Sequence, residues 1–310
     1  AWARFTWELD DLKLIFGPEF NWLNLTNYFS FSPRVAVEWK FLPTWMLMGA
    51  FGIYFQSPTD LELQGYSELK DKMSFHYILG ATKELTDTTE LKVETYFKHS
   101  HNLIEFERTD IIRDPTTGEI LEVQNIYNNE QRAYAYGVEL FLKQNLWHNF
   151  YGWISYTFSK ALYKESDDAA YHVSPYDQTH MLTLIFSYEV RKWLKFSGKW
   201  RLNSGEPYTT VVGRQRISPQ TTDMPDYEAV RNDELYTGRL PLWHQLDLRV
   251  DFIFSALGGN WSIYIEAINA YWFEPVTGYD YGSNFHRWDD PRPNRGGLPI
   301  LPYLGIEYQF

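Results

Sequence analysis

The stretch LKFSGKWRLN, residues 194–203, puts Leu194, Phe196, Gly198, Trp200 and Leu202 at alternate positions, with Lys195, Ser197, Lys199, Arg201 and Asn203 between them. Successive side chains of an extended chain point to opposite faces, so this segment has one apolar and one strongly polar face and no helical period. The pattern returns in residues 245–252, where Leu246, Leu248, Val250 and Phe252 oppose Gln245, Asp247, Arg249 and Asp251. It returns again in residues 136–143 and in the last ten residues, where Pro302, Leu304, Ile306, Tyr308 and Phe310 oppose Tyr303, Gly305, Glu307 and Gln309. About thirteen such segments follow one another, beginning near Ala3, Leu12, Phe31, Trp45, Ser74, Thr89, Ala133, Phe150, Thr179, Leu194, Trp243, Trp261 and Leu301. Each is near the roughly nine to eleven residues that cross a bilayer as a tilted strand.

The connections alternate in length. Residues 10–11, 42–44, 86–88, 145–149, 191–193 and 255–260 are short; 56–73, 105–132, 162–178, 206–242 and 271–300 are long, and 24–30 is the exception. A soluble sandwich has no reason to gather its long loops at one end, whereas an outer-membrane barrel has short periplasmic turns and long external loops. A soluble protein would also have to cover every apolar face with a second layer, and no amphipathic helix is present to do so. The expected fold class is therefore all-β, an antiparallel transmembrane β-barrel. Its polar faces would line a lumen, where Lys195, Lys199, Arg201, Asp247, Arg249, Asp251 and Glu266 are placed to form cross-strand charge pairs. With short turns on the periplasmic side, the chain enters its first strand from outside and ends at Phe310 toward the periplasm.

Composition narrows the classes further. The 310 residues are 44% hydrophobic and 22% charged, which excludes wholesale disorder. A formal charge of -12 removes counterion release as a source of affinity for nucleic acid. Cysteine is absent, so disulfides, thiolate metal sites and Cys nucleophiles are excluded. Trp and Tyr, 13 and 23, outnumber the 21 Phe, and such amphipathic rings gather where oil meets water. No apolar run approaches the roughly 18–20 residues of a spanning helix; the longest, residues 45–55, is weakened by Gly49 and Gly52. Residues 1–10 lack a basic region followed by an apolar core, so a secretion signal is expected to be either already removed or never present.

Several stretches resemble, in order, the C-terminal half of the barrel of TonB-dependent outer-membrane receptors. FSPRVAVEWKF and LMGAFGIYFQSPTDLEL look like that family's mid-barrel hairpin with its Gln-x-Pro motif; YAYGVELFLKQNL and YGWISYTFSKA resemble its GxE strand and the strand that follows. SPYDQTHMLTLIFSYEV and LKFSGKWRLNSGEPYT match the DQxH strand and the GxPYT rise, and RLPLWHQLDLRVD, WSIYIEAINAYW and GLPILPYLGIEYQF resemble the last three strands. Asn269, Ala270 and Tyr271 depart mildly, since the family usually has Asn, an aliphatic residue and Phe. The resemblance implies a barrel of about twenty-two strands. The odd strand count then reads as a piece of a longer polypeptide, lacking the N-terminal plug, the TonB-contacting segment and about nine strands. The whole chain, 1–310, is expected to be barrel, with no plug domain of its own.

The resemblance also implies that Phe310, a terminal aromatic, is a signal for the barrel-assembly machinery; the plainer reading is a last lipid-facing residue. The loop over residues 271–300 carries Trp272, Tyr279, Tyr281, His286, Trp288, Arg292 and Arg295, suited to stacking on a sugar or chelate ring and pairing with its anionic groups, or else to self-packing over the barrel mouth. His99 and His101 point the same way, as metal ligands do, but on a face shared with Leu91, Val93 and Phe97, so no metal site is expected. His180 and His244 read as hydrogen-bonded barrel residues. The loop acids Asp167, Asp168, Asp223, Asp226, Glu228, Asp233 and Glu234 read as solvated groups near the divalent ions of the membrane surface rather than as a calcium site.

The expected function is import of a scarce ligand, an iron chelate, a cobalamin-like cofactor or an oligosaccharide, energised through TonB, with no enzymatic activity and no cofactor. The expected partners are membrane lipid and lipopolysaccharide, the ligand, TonB through the absent N-terminal region, and the barrel-assembly machinery. A passive porin-like pore and a soluble glycan-binding β-protein are the alternatives.

Overall fold

A computed structural model describes residues 1–23, 28–63, 69–113, 120–217 and 226–309. Among them, thirteen strands form one sheet in which each is hydrogen-bonded to the next in chain order. They are β1 (Phe5–Leu9), β2 (Leu12–Phe16), β3 (Arg34–Leu42), β4 (Trp45–Gln56), β5 (Lys72–Thr86), β6 (Thr89–Arg113), β7 (Ile120–Trp147), β8 (Phe150–Lys164), β9 (His180–Arg191), β10 (Leu194–Asn203), β11 (Trp243–Ala256), β12 (Gly259–Ile268) and β13 (Leu301–Gln309). A two-residue strand, His172–Val173, adds to β8.

The short connections, β1–β2, β3–β4, β5–β6, β7–β8, β9–β10 and β11–β12, each leave two residues between strands. His148 and Asn149 have φ of 46° and 65°, and Leu257 and Gly258 have 53° and 81°. Positive φ at both central residues is the turn that matches the right-handed twist of the flanking strands.

The structure corrects two expectations about the long connections. Residues 24–30 do not break the alternation. Gly17-Pro18 ends β2, Pro33 precedes β3, and between them Glu19–Leu23 and Tyr28–Ser32 form a separate ribbon, so this connection is long like the others. Residues 105–132 are largely strand, because β6 has 25 residues and β7 has 28. At about 3.3 Å per residue each exceeds 80 Å, against an apolar band about 25 Å tall. Beyond that band no hydrocarbon demands alternation, so the pairing continues without the pattern that marks it in sequence.

Burial is inverted relative to a water-soluble sheet. Leu69 and Ile126 are the two buried apolar side chains among the described residues, while Leu79 is 68% exposed, Leu304 74% and Ile306 63%. On the opposite face Asp251 is 1% exposed and Asp247 6%. Transferring apolar surface out of water gains roughly 25 cal/mol per Å², so these side chains demand a cover that the sheet does not provide. Contacts divide the chain into two compact units, residues 1–83, 93–138 and 161–172 in one and 84–92, 139–160 and 173–310 in the other. The charged wall and the loop residues discussed next lie in the second.

Candidate ligand site and charged wall

Register brings the charges of β10 and β11 face to face: Lys195 opposite Asp251, Lys199 opposite Asp247 and Arg201 opposite Gln245. The resulting pairs are Lys199 Nζ–Asp247 Oδ2 at 3.1 Å, Arg201 Nη2–Asp247 Oδ2 at 3.7 Å and Lys195 Nζ–Asp251 Oδ2 at 3.9 Å. Arg249 reaches Asp251 at 2.7 Å and Glu307 on β13 at 2.9 Å. Its guanidinium lies 3.5 Å from the centre of the Tyr264 ring. Tyr264 in turn lies over Gly305, its register partner, where a Cβ would overlap the ring. The glycine thus allows the flat tyrosine that supports the arginine. Six of the seven expected wall residues fall into two clusters, Lys199 and Arg201 on Asp247 and Lys195 and Arg249 on Asp251; Glu266, opposite Arg249 in register, makes no ion pair among the described residues. The cations are a quarter to two-fifths exposed, so each pair alone contributes about 0–1 kcal/mol. Asp247 and Asp251 are buried, and removing their partners would strand a charge at roughly 3–5 kcal/mol, whereas Glu307 is half exposed.

At the upper end of the same strands is a second node, whose Asp177 and Gly205 fall in the quoted DQxH and GxPYT motifs but whose pairing the sequence did not mark. Asp177, 1% exposed, accepts from Arg239 Nη2 at 2.6 Å and from Thr179 Oγ1 at 2.7 Å, with Lys160 Nζ at 3.7 Å. Arg239 Nη1 also donates to the main-chain oxygens of Asp177 and Gly205, at 3.0 and 2.9 Å. Two connections meet there, the one between β8 and β9 and the one between β10 and β11. A Cβ on Gly205 would strike the Leu240 main-chain oxygen, so only glycine permits the approach. Nothing in a single sequence couples residues 62 apart.

Asn269 closes the loop that follows β12. It holds φ 55°, is 5% exposed, and its Nδ2 donates to the Phe273 oxygen at 3.0 Å and the Leu298 oxygen at 2.8 Å, while Oδ1 accepts from the Phe273 N–H at 2.9 Å. Its own N–H donates to Asp247 Oδ1 at 3.1 Å. One residue therefore joins both feet of the loop through its side chain and fastens them to the charged wall through its main-chain N–H.

Inside the loop, Val276–Asp280 pairs with Arg292–Arg295. The seven expected ligand-binding residues do not converge. Trp272, 56% exposed, donates Nε1–H to Glu274 at 3.0 Å, and Arg295 donates to the Glu274 main-chain oxygen at 3.2 Å. Tyr279 packs 5.4 Å from Tyr208, whose phenol is pushed above the usual tyrosine range by burial and then by Tyr279 and Tyr281. Tyr281 packs 6.3 Å from Phe285. His286 donates Nδ1–H to the Ser283 oxygen at 2.9 Å, Trp288 donates its N–H to the Phe285 oxygen, and Arg292 stands opposite Asp280 in the ribbon.

A polar cleft of about 370 Å³ lies at the loop's foot, lined among others by Arg201, Asn203, Glu206, Trp243, Pro275 and Thr277. Arg201 lies 5.1 Å over the Trp243 ring, and its buried Nε has no hydrogen-bond partner. Only Arg201 of this set was marked by sequence, as a wall residue. A hollow of about 500 Å³ against β1–β4 mixes apolar Ile15, Val35 and Phe51 with charged Arg4, Glu19 and Arg34, and lies in the first unit, away from the charged wall in sequence.

The remaining candidates fall as follows. His180 and His244 are hydrogen-bonded, to Tyr156 at 2.9 Å and to Tyr271 at 2.6 Å. Asp167 is paired with Arg132 at 2.6 Å. The loop acids form no metal-sized cluster among the described residues, and Asp223 and Phe310 lie outside those residues.

Comparisons with known proteins agree with this architecture. No curated protein sequence matches the chain. Among solved structures, the outer membrane transporter YddB from Escherichia coli aligns with TM-score 0.65 at 12% identity, over 99% of this chain and 43% of that one. The pyoverdine outer membrane receptor FpvA from Pseudomonas aeruginosa aligns at 0.62 and 17%, over 100% and 41%, and the siderophore receptor PirA from Acinetobacter baumannii at 0.63 and 14%, over 96% and 43%. At such identities the likeness is one of fold, and the chain spans about two-fifths of those structures. These neighbours are receptors and transporters, not enzymes. The sequence profile described as TonB dependent receptor-like, beta-barrel, matches residues 1–270, and the chain belongs to that family.

Proposed function

We propose that this chain is the C-terminal part of the barrel of a Gram-negative outer-membrane receptor that imports a scarce nutrient with energy delivered through TonB. The observation that carries the reading is the inverted burial: the carboxylates of Asp247 and Asp251, paired with Lys199 and Arg249, are buried while Leu304 and Ile306 are bare. The polar wall lines the lumen, and hydrocarbon and lipopolysaccharide cover the other side. Ligand enters from the external loops, where Trp272, Tyr279, Tyr281, His286, Trp288, Arg292 and Arg295 supply rings and cations in the connection whose foot lines the Arg201–Trp243 cleft. Contact with TonB belongs to residues outside this chain, and Phe310 serves as the signal to the barrel-assembly machinery. The pyoverdine and siderophore receptors among the fold neighbours favour an iron chelate over the other ligands.

The test uses the full-length protein. Cells carrying it should take up a labelled ligand from a panel of ferric chelates, cobalamin and oligosaccharides only when TonB is present. A steady open conductance in planar bilayers, with uptake independent of TonB, would replace this reading with a passive pore.

A further inference from the structure

His99 and His101 lie two apart on β6, a strand hydrogen-bonded on both sides, and their ring centres stand 4.1 Å apart with 55° between the planes. Aromatic neighbours fix both rings without using a nitrogen: Phe97 is 6.3 Å from His99, and Phe75 meets His101 edge-on at 5.9 Å. Neither imidazole has a hydrogen-bond partner among the described residues. Both rings are part-exposed, so their nitrogens are free to take an external ligand in place of water, and the strand holds them side by side.

Apolar neighbours lower on this face argued against a metal, but height changes the argument. The two residues stand ten and twelve positions beyond Thr89, the first residue of β6. At about 3.3 Å per residue and a tilt of about 40° they sit roughly 25–30 Å above the short turn, at or just above the top of an apolar band about 25 Å tall. Water and ions reach that level. Arg132, the cation close to His101, is held by Asp167 at 2.6 Å, so its charge is locally offset.

We propose that His99 and His101 form a two-imidazole chelate for a borderline divalent ion of the zinc–copper class, with water in the remaining positions. Neutral imidazole is the favoured side chain for such ions, and carboxylate-preferring calcium and magnesium are excluded by the donor type. Two imidazole nitrogens about 2.0–2.1 Å from one ion place their ring centres roughly 4.5–5 Å apart, so a small rotation of each ring completes the geometry. The chelate is independent of the transported ligand.

The probe is Cu(II) alone, added at one equivalent to the full-length protein in detergent. Electron paramagnetic resonance should show two nitrogen donors, and His99→Gln and His101→Gln should each lower the affinity about tenfold or more and leave one nitrogen. In the unaltered protein, Zn(II) should protect both histidines together from diethylpyrocarbonate, read by mass spectrometry, while His148 and His286 stay reactive. A copper signal indifferent to both substitutions, or zinc protection spread equally over all four histidines, would overturn the proposal.

Discussion

Replacing Asn269 tests how the external loop is fastened. The side chain makes three hydrogen bonds, to Phe273 twice and to Leu298 once, at 2.8–3.0 Å, from a residue 5% exposed. At about 0.5–1.5 kcal/mol each, their loss in Asn269→Gly amounts to roughly 2–3 kcal/mol once partial rehydration is allowed. Glycine keeps the φ of 55° without strain, so this variant isolates the bonds, and Asn269→Ala should cost about 1 kcal/mol more for the left-handed backbone. Asn269→Asp keeps the acceptor for the Phe273 N–H, loses both donors and sets a carboxylate beside Asp247, so it should fall below glycine. The assay is amide hydrogen exchange at Phe273, whose protection comes directly from Oδ1; an opening made easier by 2–3 kcal/mol speeds exchange about 30- to 150-fold. Unchanged protection at Phe273 in Asn269→Gly, or Ala matching Gly, would refute the clamp.

Three further outcomes are expected. A double-mutant cycle of Asp177→Asn and Arg239→Gln should give a coupling of about 2–3 kcal/mol in denaturant unfolding, below the full cost of a broken buried pair because Arg239 is 32% exposed; additivity within experimental error would remove the node. Burial raises the Asp71 carboxyl above the ordinary aspartate value in spite of hydrogen bonds with Ser57 and Ser30. Its contribution to stability is therefore present below the unfolded value and is lost as pH rises through the folded one, so Asp71→Asn should raise the thermal midpoint at pH 7 and flatten its dependence on pH from acid to neutral, and a lower midpoint would contradict this. Ultraviolet titration should find the Tyr208 phenolate only above the ordinary range of about 10, and Tyr279→Phe should bring it back toward that value; no movement would separate the two rings.

The strands were legible because alternation is a local, period-two property, and lipid on one side with charge on the other sharpens it, as in residues 194–203 and 245–252. The register that joins Lys199 to Asp247 follows once a two-residue turn fixes β9 against β10 and β11 continues the sheet. Outside the apolar band the same physics falls silent: the upper parts of β6 and β7 and the ribbons within the loops pair without a hydrophobic rhythm. Long-range polar nodes were hidden for a different reason. Asp177 and Asn269 sit in motifs where turn or cap roles explain an Asp or Asn equally well, and their partners, Arg239 and Leu298, are set by loop paths that no local pattern encodes. The loop's rings and cations were marked by chemistry alone, and their separation into groups around Glu274, Tyr208 and Ser283 depends on those same paths.

The account rests on what touches the bare apolar face. These 310 residues contain no cysteine, so single nitroxide labels can be placed at Leu248, Phe252, Ile265 and Leu304 on one face and at Ser197, Gln245 and Ser262 on the other, in the full-length protein with any cysteine elsewhere replaced, reconstituted in bilayers. Electron paramagnetic resonance should find the first set relaxed mainly by oxygen dissolved in the hydrocarbon and the second set by a water-soluble nickel chelate or shielded from both. Labels at Leu248 and Leu304 that are reached by neither agent, or mainly by the nickel chelate, would contradict the membrane-spanning sheet.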